Sequence, residues 1–451
     1  MAGAALDLDA IRPCLEGAIP VVMATCDLDG TPNVTYISQA EYVDARRLAL
    51  SFQFFNKTRR NVLANPVAEL LVVHPGNGAL YRIAARYLHT ETEGALFERI
   101  KAKLSGIASH TGMSGVFRLR GADVYAVERV AAVGTPPPQP APAGPSRLSA
   151  LRRCAQAVAD ASDLDNLVER LLDGVVAHFG VRHAMLLMLD AAGNRLYTVA
   201  SRGYGRSGAG SEIPLGEGVV GVAARTGSPI RINHATVEYA YGRAMREGLS
   251  GRLLEREIPL PGLAEPGSQL AVPMASAGQL LGVLFVESAQ DMHFSWDDED
   301  ALVTLGAQFA ALARGFIQCA EVPDDEEAAP AAPVHDASVA GSAALRVRHY
   351  EADDSVFLDD DYLIKGVAGA VLWKLLSDHA RDGRTEFSNR ELRLAPEIRL
   401  PEIGDNLEAR LVLLTRRLVD RQAPVRLEKT GRGRFRLCVT RRLQLVPVPR
   451  A

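Results

Sequence analysis

The pattern of apolar and polar positions changes along the chain and predicts three folded blocks. In the first block, apolar residues alternate with polar ones as in half-buried strands. In the second, helical periodicity over 148–177 and 297–316 flanks buried strands. The third block predicts three helices followed by two strands. A Pro-rich spacer at 135–145 and an acidic linker at 322–342 separate the blocks, so the predicted domains are 1–134, 146–320 and 343–451.

Composition limits the class of protein without naming a partner. The 451 residues suit about three domains, and a hydrophobic fraction of 47% supports packed cores. The formal net charge of −4 is too unevenly placed to indicate a partner. Five cysteines are scattered without a CxxC pair, which argues against disulfides or a zinc site and is typical of a reducing cytoplasm. We find neither a signal peptide nor an apolar run of about eighteen residues, and therefore expect a cytoplasmic protein without a membrane span.

The most informative stretch of the first block is 50–66, which reads LSFQFFNKTRRNVLANP. It begins as a half-buried strand, and Thr58 is a candidate cap for a short helix that ends before Asn65-Pro66. A helix N-terminus offers free N–H groups, and lysine and arginine add positive charge. A phosphate cradle is therefore predicted, with a solvated basic turn as the alternative. Its residues are Lys57, Thr58, Arg59 and Arg60.

Residues of about 10 to 135 resemble the pyridoxamine 5′-phosphate oxidase-like, flavin-binding split-barrel family. The resemblance rests on Thr58-Arg59-Arg60, on Asn65-Pro66 and on a hairpin over 19–38 that turns at Asp29-Gly30. It implies a β-barrel that forms a homodimer, with FMN at the interface and the FMN phosphate held by the cradle residues. Another flavin or haem is an alternative cofactor.

Whether the barrel is an enzyme is a separate question. The chain passes from Glu128-Arg129 into the Pro-rich spacer, without the substrate-binding segment that pyridoxamine phosphate oxidases carry there. We find no paired carboxylates or Ser/His/Asp grouping with supporting spacing, so no catalytic residue is predicted. Candidate haem or metal ligands are His74, His89 and His110, although single histidines are more often structural.

The second block resembles a GAF domain, through the motifs PLGEGVVG at 214–221, VPM at 272–274, GVL at 282–284 and FSWDDED at 294–300. The resemblance implies an α/β/α sheet domain with a pocket for a small molecule. An insert at 233–266 should cover that pocket, and its candidate ligand contacts are His234, Tyr239, Tyr241 and Arg243. An ordinary surface loop is the alternative. A GAF domain can also serve only for dimerisation, by pairing its terminal helices across a two-fold axis.

The third block resembles the C-terminal effector domain of two-component response regulators, which is a winged helix. Predicted helices at 365–379, 386–394 and 406–421 precede strands at 425–430 and 433–439. The match is approximate, because Phe435 stands two residues after Gly433 instead of directly after it. Arginines on a helix can contact phosphates and guanine edges, and wing arginines can contact the backbone. The predicted DNA contacts are Arg410, Thr415, Arg416, Arg417, Arg432 and Arg434. A basic surface for protein contact is the alternative.

Together these patterns predict a multidomain α+β protein with a split β-barrel, a GAF domain and a winged helix. The predicted function is a dimeric, cytoplasmic, one-component transcriptional regulator in which flavin or small-ligand sensing controls DNA binding. One alternative is an FMN-dependent oxidoreductase regulated by the other two domains. Another is a scaffold whose three blocks all serve protein contact.

Overall fold

A computed structural model provides the structure of the protein. It describes residues 7–15, 19–53, 57–75, 77–110, 118–134, 146–233, 258–319, 344–398 and 407–449.

The described part of the first domain contains a 3-10 helix, seven strands and two helices. The 3-10 helix Asp9–Leu15 comes first, and the other elements follow as β1 (Val21–Cys26), β2 (Pro32–Ile37), β3 (Ala40–Asp44), β4 (Arg47–Phe52), α1 (Lys57–Ala64), β5 (Val67–Val73), β6 (Leu80–Glu91), α2 (Ala95–His110) and β7 (Gly121–Val133). The strands form one antiparallel sheet in the order β2-β1-β5-β6-β7-β4-β3. Within the described residues, the barrel is split between β2 and β3.

The predicted first hairpin is present, and alternation explains how its strand β1 contributes to the core. Strands β1 and β2 pair from Val21–Ile37 to Cys26–Pro32. Every second residue of β1 is buried, as period-two patterning requires. The turn is closed at Gly30, whose φ of +82° is a conformation that glycine adopts without steric cost.

The second domain is a six-stranded sheet with helices on both faces. Its elements are α3 (Arg147–Ala159), α4 (Leu164–Phe179), β8 (His183–Asp190), β9 (Arg195–Arg202), β10 (Glu212–Pro214), α5 (Gly218–Thr226), β11 (Ile230–Ile232), β12 (Ser268–Ser276), β13 (Gln279–Ser288) and α6 (Trp296–Cys319). The strand order is β10-β9-β8-β13-β12-β11. Apolar residues of α3, α4 and α6 pack on one face, and those of α5 pack on the other.

The predicted long helix over 148–177 is two helices, which corrects the sequence interpretation. Helix α3 ends at Ala159 and α4 begins at Leu164. The side chain of Asp163 accepts a hydrogen bond of 2.9 Å from the Asn166 backbone N–H and so caps α4. The break allows α3 to fold back and pack along α4.

Helix α6 bears on the expectation that the chain has no membrane span. Over Trp296–Gln318 it is long and apolar enough to cross a membrane by length and composition. However, Leu302, Leu305 and Phe309 are completely buried in the domain core, and the helix packs on β12. A core helix passes the same length test, so α6 is interpreted as part of the sheet domain.

Among its described residues, the third domain combines two small sheets with three helices. Its elements are β14 (Leu345–Tyr350), β15 (Ser355–Leu358), β16 (Asp361–Ile364), α7 (Gly366–Asp382), β17 (Glu386–Ser388), α8 (Asn389–Leu394), α9 (Leu407–Asp420), β18 (Val425–Gly431), β19 (Arg434–Val439) and β20 (Leu443–Val448). One sheet has the order β16-β15-β14-β20, with β14 and β20 parallel, and the other has the order β17-β19-β18.

Two features of this domain differ from the sequence prediction. Glu386–Ser388 is a strand paired with β19, because Phe387 is needed to cover Phe435 in the core. Only the part from Asn389 onward is helical, and Ser388 caps it, because its Oγ accepts a hydrogen bond of 3.3 Å from the Glu391 backbone N–H. Strands β14 and β20 were not predicted, since they lie far apart in the sequence.

Candidate functional site

The four predicted cradle residues all lie in the first turn of α1, but they do not converge on one site. Thr58 is the second helical residue and not the cap, and its buried hydroxyl accepts a hydrogen bond of 2.8 Å from Asn33 Nδ2. Lys57 is half-buried and Arg60 is exposed. Of the four, only Thr58 and Arg59 line the adjacent cavity.

Arg59 is held by an internal network. Its Nη1 forms an ion pair of 2.6 Å with Asp123 Oδ1 on β7, and its Nη2 donates to Thr90 Oγ1 on β6 at 2.8 Å. The Thr90 hydroxyl donates to the same Asp123 oxygen at 2.6 Å. The guanidinium also lies over the Phe52 ring, 4.7 Å from its centroid. Burial raises the pKa of Asp123, although Thr90 and the charge of Arg59 oppose that rise.

The cavity beside this network has a volume of about 210 Å³. Its walls are apolar, aromatic and polar side chains from the sheet and α1. They are Met23, Tyr36, Ile37, Ser38, Leu50, Ser51, Phe52, Gln53, Thr58, Arg59, Val62, Asp123 and Tyr125. Aromatic walls suit a flat ring system. The described lining does not suit a phosphate group, because the charge of Arg59 is balanced by that of Asp123.

Asp123 and Thr90 are not among the site residues predicted from the sequence. Residues 122–125 of β7 are all buried, so Asp123 is a carboxylate within a fully buried strand segment. An acid in such a segment normally needs a partner. That signal was present in the sequence, where Asp123 interrupts an apolar run, but nothing in the sequence identified Arg59 as the partner.

The candidate histidines are not brought together. His89 is exposed and lies 3.5 Å from Glu91, whereas His74 is partly buried, and burial lowers its pKa. The side chain of His110 lies outside the described residues. No group of three or more metal-binding side chains occurs in the part of the chain that the structure describes.

The second domain has a buried polar group on the sheet face that α5 covers. Glu287 is almost fully buried and accepts hydrogen bonds from the Leu263 backbone N–H at 2.9 Å and from Gln269 Nε2 at 3.0 Å. Burial, followed by the neighbouring Glu287, raises the pKa of Tyr204. The Tyr204 ring lies 5.2 Å from that of His183. The predicted contacts His234, Tyr239, Tyr241 and Arg243 lie outside the described residues.

The arginines predicted to contact DNA are mostly not exposed, which corrects the expected geometry. Arg410 is 5% exposed, lies 3.9 Å from the Tyr197 ring centroid and forms an ion pair of 3.2 Å with Asp190. Arg417 is 8% exposed, and its Nε donates to the Leu363 carbonyl at 2.8 Å. Burial lowers the pKa of Arg417.

Arg416 also contacts the second domain, at 2.7 Å from Asp165 and 2.6 Å from Glu169 on α4. Thr415 lines a cavity between the second and third domains. Arg432 and Arg434, at the turn between β18 and β19, are exposed as expected. The reason for the difference is that α9 packs against α4 and β9 instead of facing solvent.

Two family matches cover separate parts of the chain. Residues 8–128 match the family described as pyridoxamine 5′-phosphate oxidase, and residues 161–312 match the GAF domain. The first domain is therefore pyridoxamine 5′-phosphate oxidase-like and the second is a GAF domain. No protein of curated function matches the chain.

Solved structures also match parts of the chain. The GAF domain of the phosphoenolpyruvate-protein phosphotransferase from Acinetobacter is 25% identical, covers 38% of this chain and 95% of its own, and has a TM-score of 0.31. HupZ from Group A Streptococcus is 24% identical, covers 29% of this chain and 95% of its own, and has a TM-score of 0.22. An FMN-binding protein from Syntrophomonas wolfei subsp. wolfei is 20% identical, covers 28% of this chain and 89% of its own, and has a TM-score of 0.23.

Proposed function

We propose that this chain, with its pyridoxamine 5′-phosphate oxidase-like domain and its GAF domain, is a cytoplasmic, dimeric small-molecule sensor whose third domain binds DNA. In this proposal the third domain is a winged helix with α9 as its recognition helix. The GAF domain holds α9 in a state that excludes DNA, and ligand binding releases it.

The observation that carries the proposal is the set of acidic side chains on the GAF domain that contact cations of the third domain. These pairs are Asp190–Arg410, Asp165–Arg416, Glu169–Arg416, Asp163–Lys429 and Glu212–Lys365, at distances from 2.6 to 3.2 Å. Carboxylates and phosphates compete for the same guanidinium donors. The GAF carboxylates therefore occupy positions that DNA phosphates would take after release.

Duplex binding by the double variant Asp165→Asn/Glu169→Gln tests this proposal. Both substitutions remove a charge that pairs with Arg416 while preserving side-chain size. We expect the variant to bind a random-sequence DNA duplex about tenfold more tightly than the wild type, because a larger fraction of the chain is released. Adding Arg432→Ala and Arg434→Ala should weaken binding again and reduce its salt dependence.

The matched control is Glu98→Gln/Glu128→Gln, which changes the net charge equally on exposed pairs of the first domain. It should bind DNA as the wild type does. The proposal is wrong if neither the wild type nor the GAF variant binds the duplex at low salt, or if the control variant gains as much affinity.

A further inference from the structure

We propose that the cavity of the first domain selects an uncharged, flat heteroaromatic ring, such as a flavin without its phosphate, and that Asp123 is the residue that rejects the phosphate. This inference deepens the proposed sensing function by naming a ligand class. Its test measures binding directly, without DNA, so the two can fail separately.

The cavity wall carries two opposite charges that lie close together. Arg59 is the one cation among the described lining residues and Asp123 is the one anion, and they are 2.6 Å apart. A phosphate that approached the guanidinium would also approach the carboxylate. Because both groups are largely buried, solvent screens that repulsion poorly.

The donors of Arg59 are also engaged in fixed geometry. One terminal nitrogen contacts Asp123 and the other contacts Thr90, which itself donates to Asp123. A bidentate guanidinium–phosphate contact would have to break this closed arrangement. Lys57 and Arg60 do not line the cavity and so do not replace the lost charge.

The remaining wall provides what an uncharged ring requires. Phe52 and Tyr125 supply aromatic surface, and Ser38, Ser51 and Gln53 supply neutral hydrogen-bonding groups. Gln53 Nε2 donates to Ser38 Oγ at 2.7 Å, and Ser38 and Ser51 hydroxyls are 3.3 Å apart. Hydroxyl and amide groups can each donate or accept hydrogen bonds, so these side chains can bind both ring carbonyls and ring nitrogens.

Riboflavin and FMN are the probes, because they share a ring and differ only in the phosphate. Titration of each into the full-length protein, followed by flavin fluorescence, gives the two dissociation constants. We expect the wild type to bind riboflavin at least as tightly as FMN. Asp123→Asn should raise the affinity for FMN relative to riboflavin by about tenfold or more, since it removes the repelling charge and frees Arg59.

The control is Asp44→Asn, which removes a carboxylate from an exposed pair on β3 and should leave the ratio unchanged. The ratio of the riboflavin and FMN dissociation constants of the wild type is measured without any variant. It therefore stays informative even if Asp123→Asn does not fold. A wild-type preference for FMN of about tenfold or more would overturn the inference, as would failure to bind either flavin.

Discussion

Glu41 on β3 is a completely buried carboxylate whose role can be derived from its neighbours. Lys103 Nζ lies 2.8 Å from one of its oxygens, and Arg99 Nε lies 3.1 Å from the other. Lys103 is itself buried, and its ammonium group lies 4.6 Å from the Trp296 ring centroid in the GAF domain. Buried charges are tolerated when they are paired, so Glu41 and Lys103 each need the charge of the other.

We predict that Glu41→Gln lowers the free energy of unfolding by about 3 kcal/mol, because Lys103 is left buried without its counter-charge. Denaturant unfolding monitored by circular dichroism measures the change. The control Asp44→Asn, also on β3, breaks an exposed pair with Arg47 and should cost less than about 1 kcal/mol. A double variant that adds Lys103→Met should recover much of the loss. A loss of similar size in both single variants would contradict the prediction.

At the scale of elements, the sequence predicted most helices and strands but not the surroundings of α9. The spacing of Leu407, Leu411, Leu414 and Leu418 predicts one apolar face for α9, and all four are buried. Val412 and Leu413 form a second apolar face, and a helix that is apolar on two faces is normally buried on both. That signal would have placed α9 between two domains.

Other differences have physical reasons that local patterns do not contain. The pairing of β14 with β20 joins residues almost one hundred positions apart, and a sequence pattern carries no record of such pairing. The partner of Arg59 was also invisible, because Asp123 is adjacent only after β6 and β7 have formed a sheet with β4. The turn that carries the cradle residues could be predicted from local sequence, whereas the charge balance at Arg59 depends on a strand that is distant in the sequence.

The cap of α4 gives a prediction about pH. Burial would raise the pKa of Asp163, but the Asn166 backbone N–H and Lys429 outweigh it, and the pKa is lowered. A carboxyl with a lowered folded-state pKa stabilises the fold above its ordinary pKa of about 3.9, and that stability is lost as the pH falls through the folded value. Asp163→Asn keeps a capping oxygen but cannot titrate.

The urea midpoint of the wild type should therefore fall more steeply than that of Asp163→Asn between about pH 5 and pH 2. Asp360→Asn, at a side chain that is 95% exposed, should follow the wild-type curve. Parallel curves for the wild type and Asp163→Asn would show that this carboxylate contributes no pH-dependent stability.

At the scale of the whole molecule, the GAF domain lies between the other two. Helix α2 of the first domain packs on α5 and β11, and Trp296 is contacted by Arg12 and Lys103 from that domain. On its other side, α4 and β9 receive α9 of the third domain. A conformational change in the GAF sheet or in α5 can therefore affect both the first and the third domain through direct contacts.

The interface between the GAF and third domains combines ion pairs with an apolar contact, and the apolar part can be tested alone. Leu413 is 3% exposed and packs near Gly210, whereas Val419 on the same helix is 66% exposed. We predict that Leu413→Glu separates the domains, because the substitution would bury a carboxylate in an apolar contact. Small-angle scattering should show a larger radius of gyration, and proteolysis within 322–342 should be faster. Val419→Glu adds the same charge at an exposed position and should leave both unchanged, while an unaltered radius for Leu413→Glu would mean that the ion pairs alone hold α9 in place.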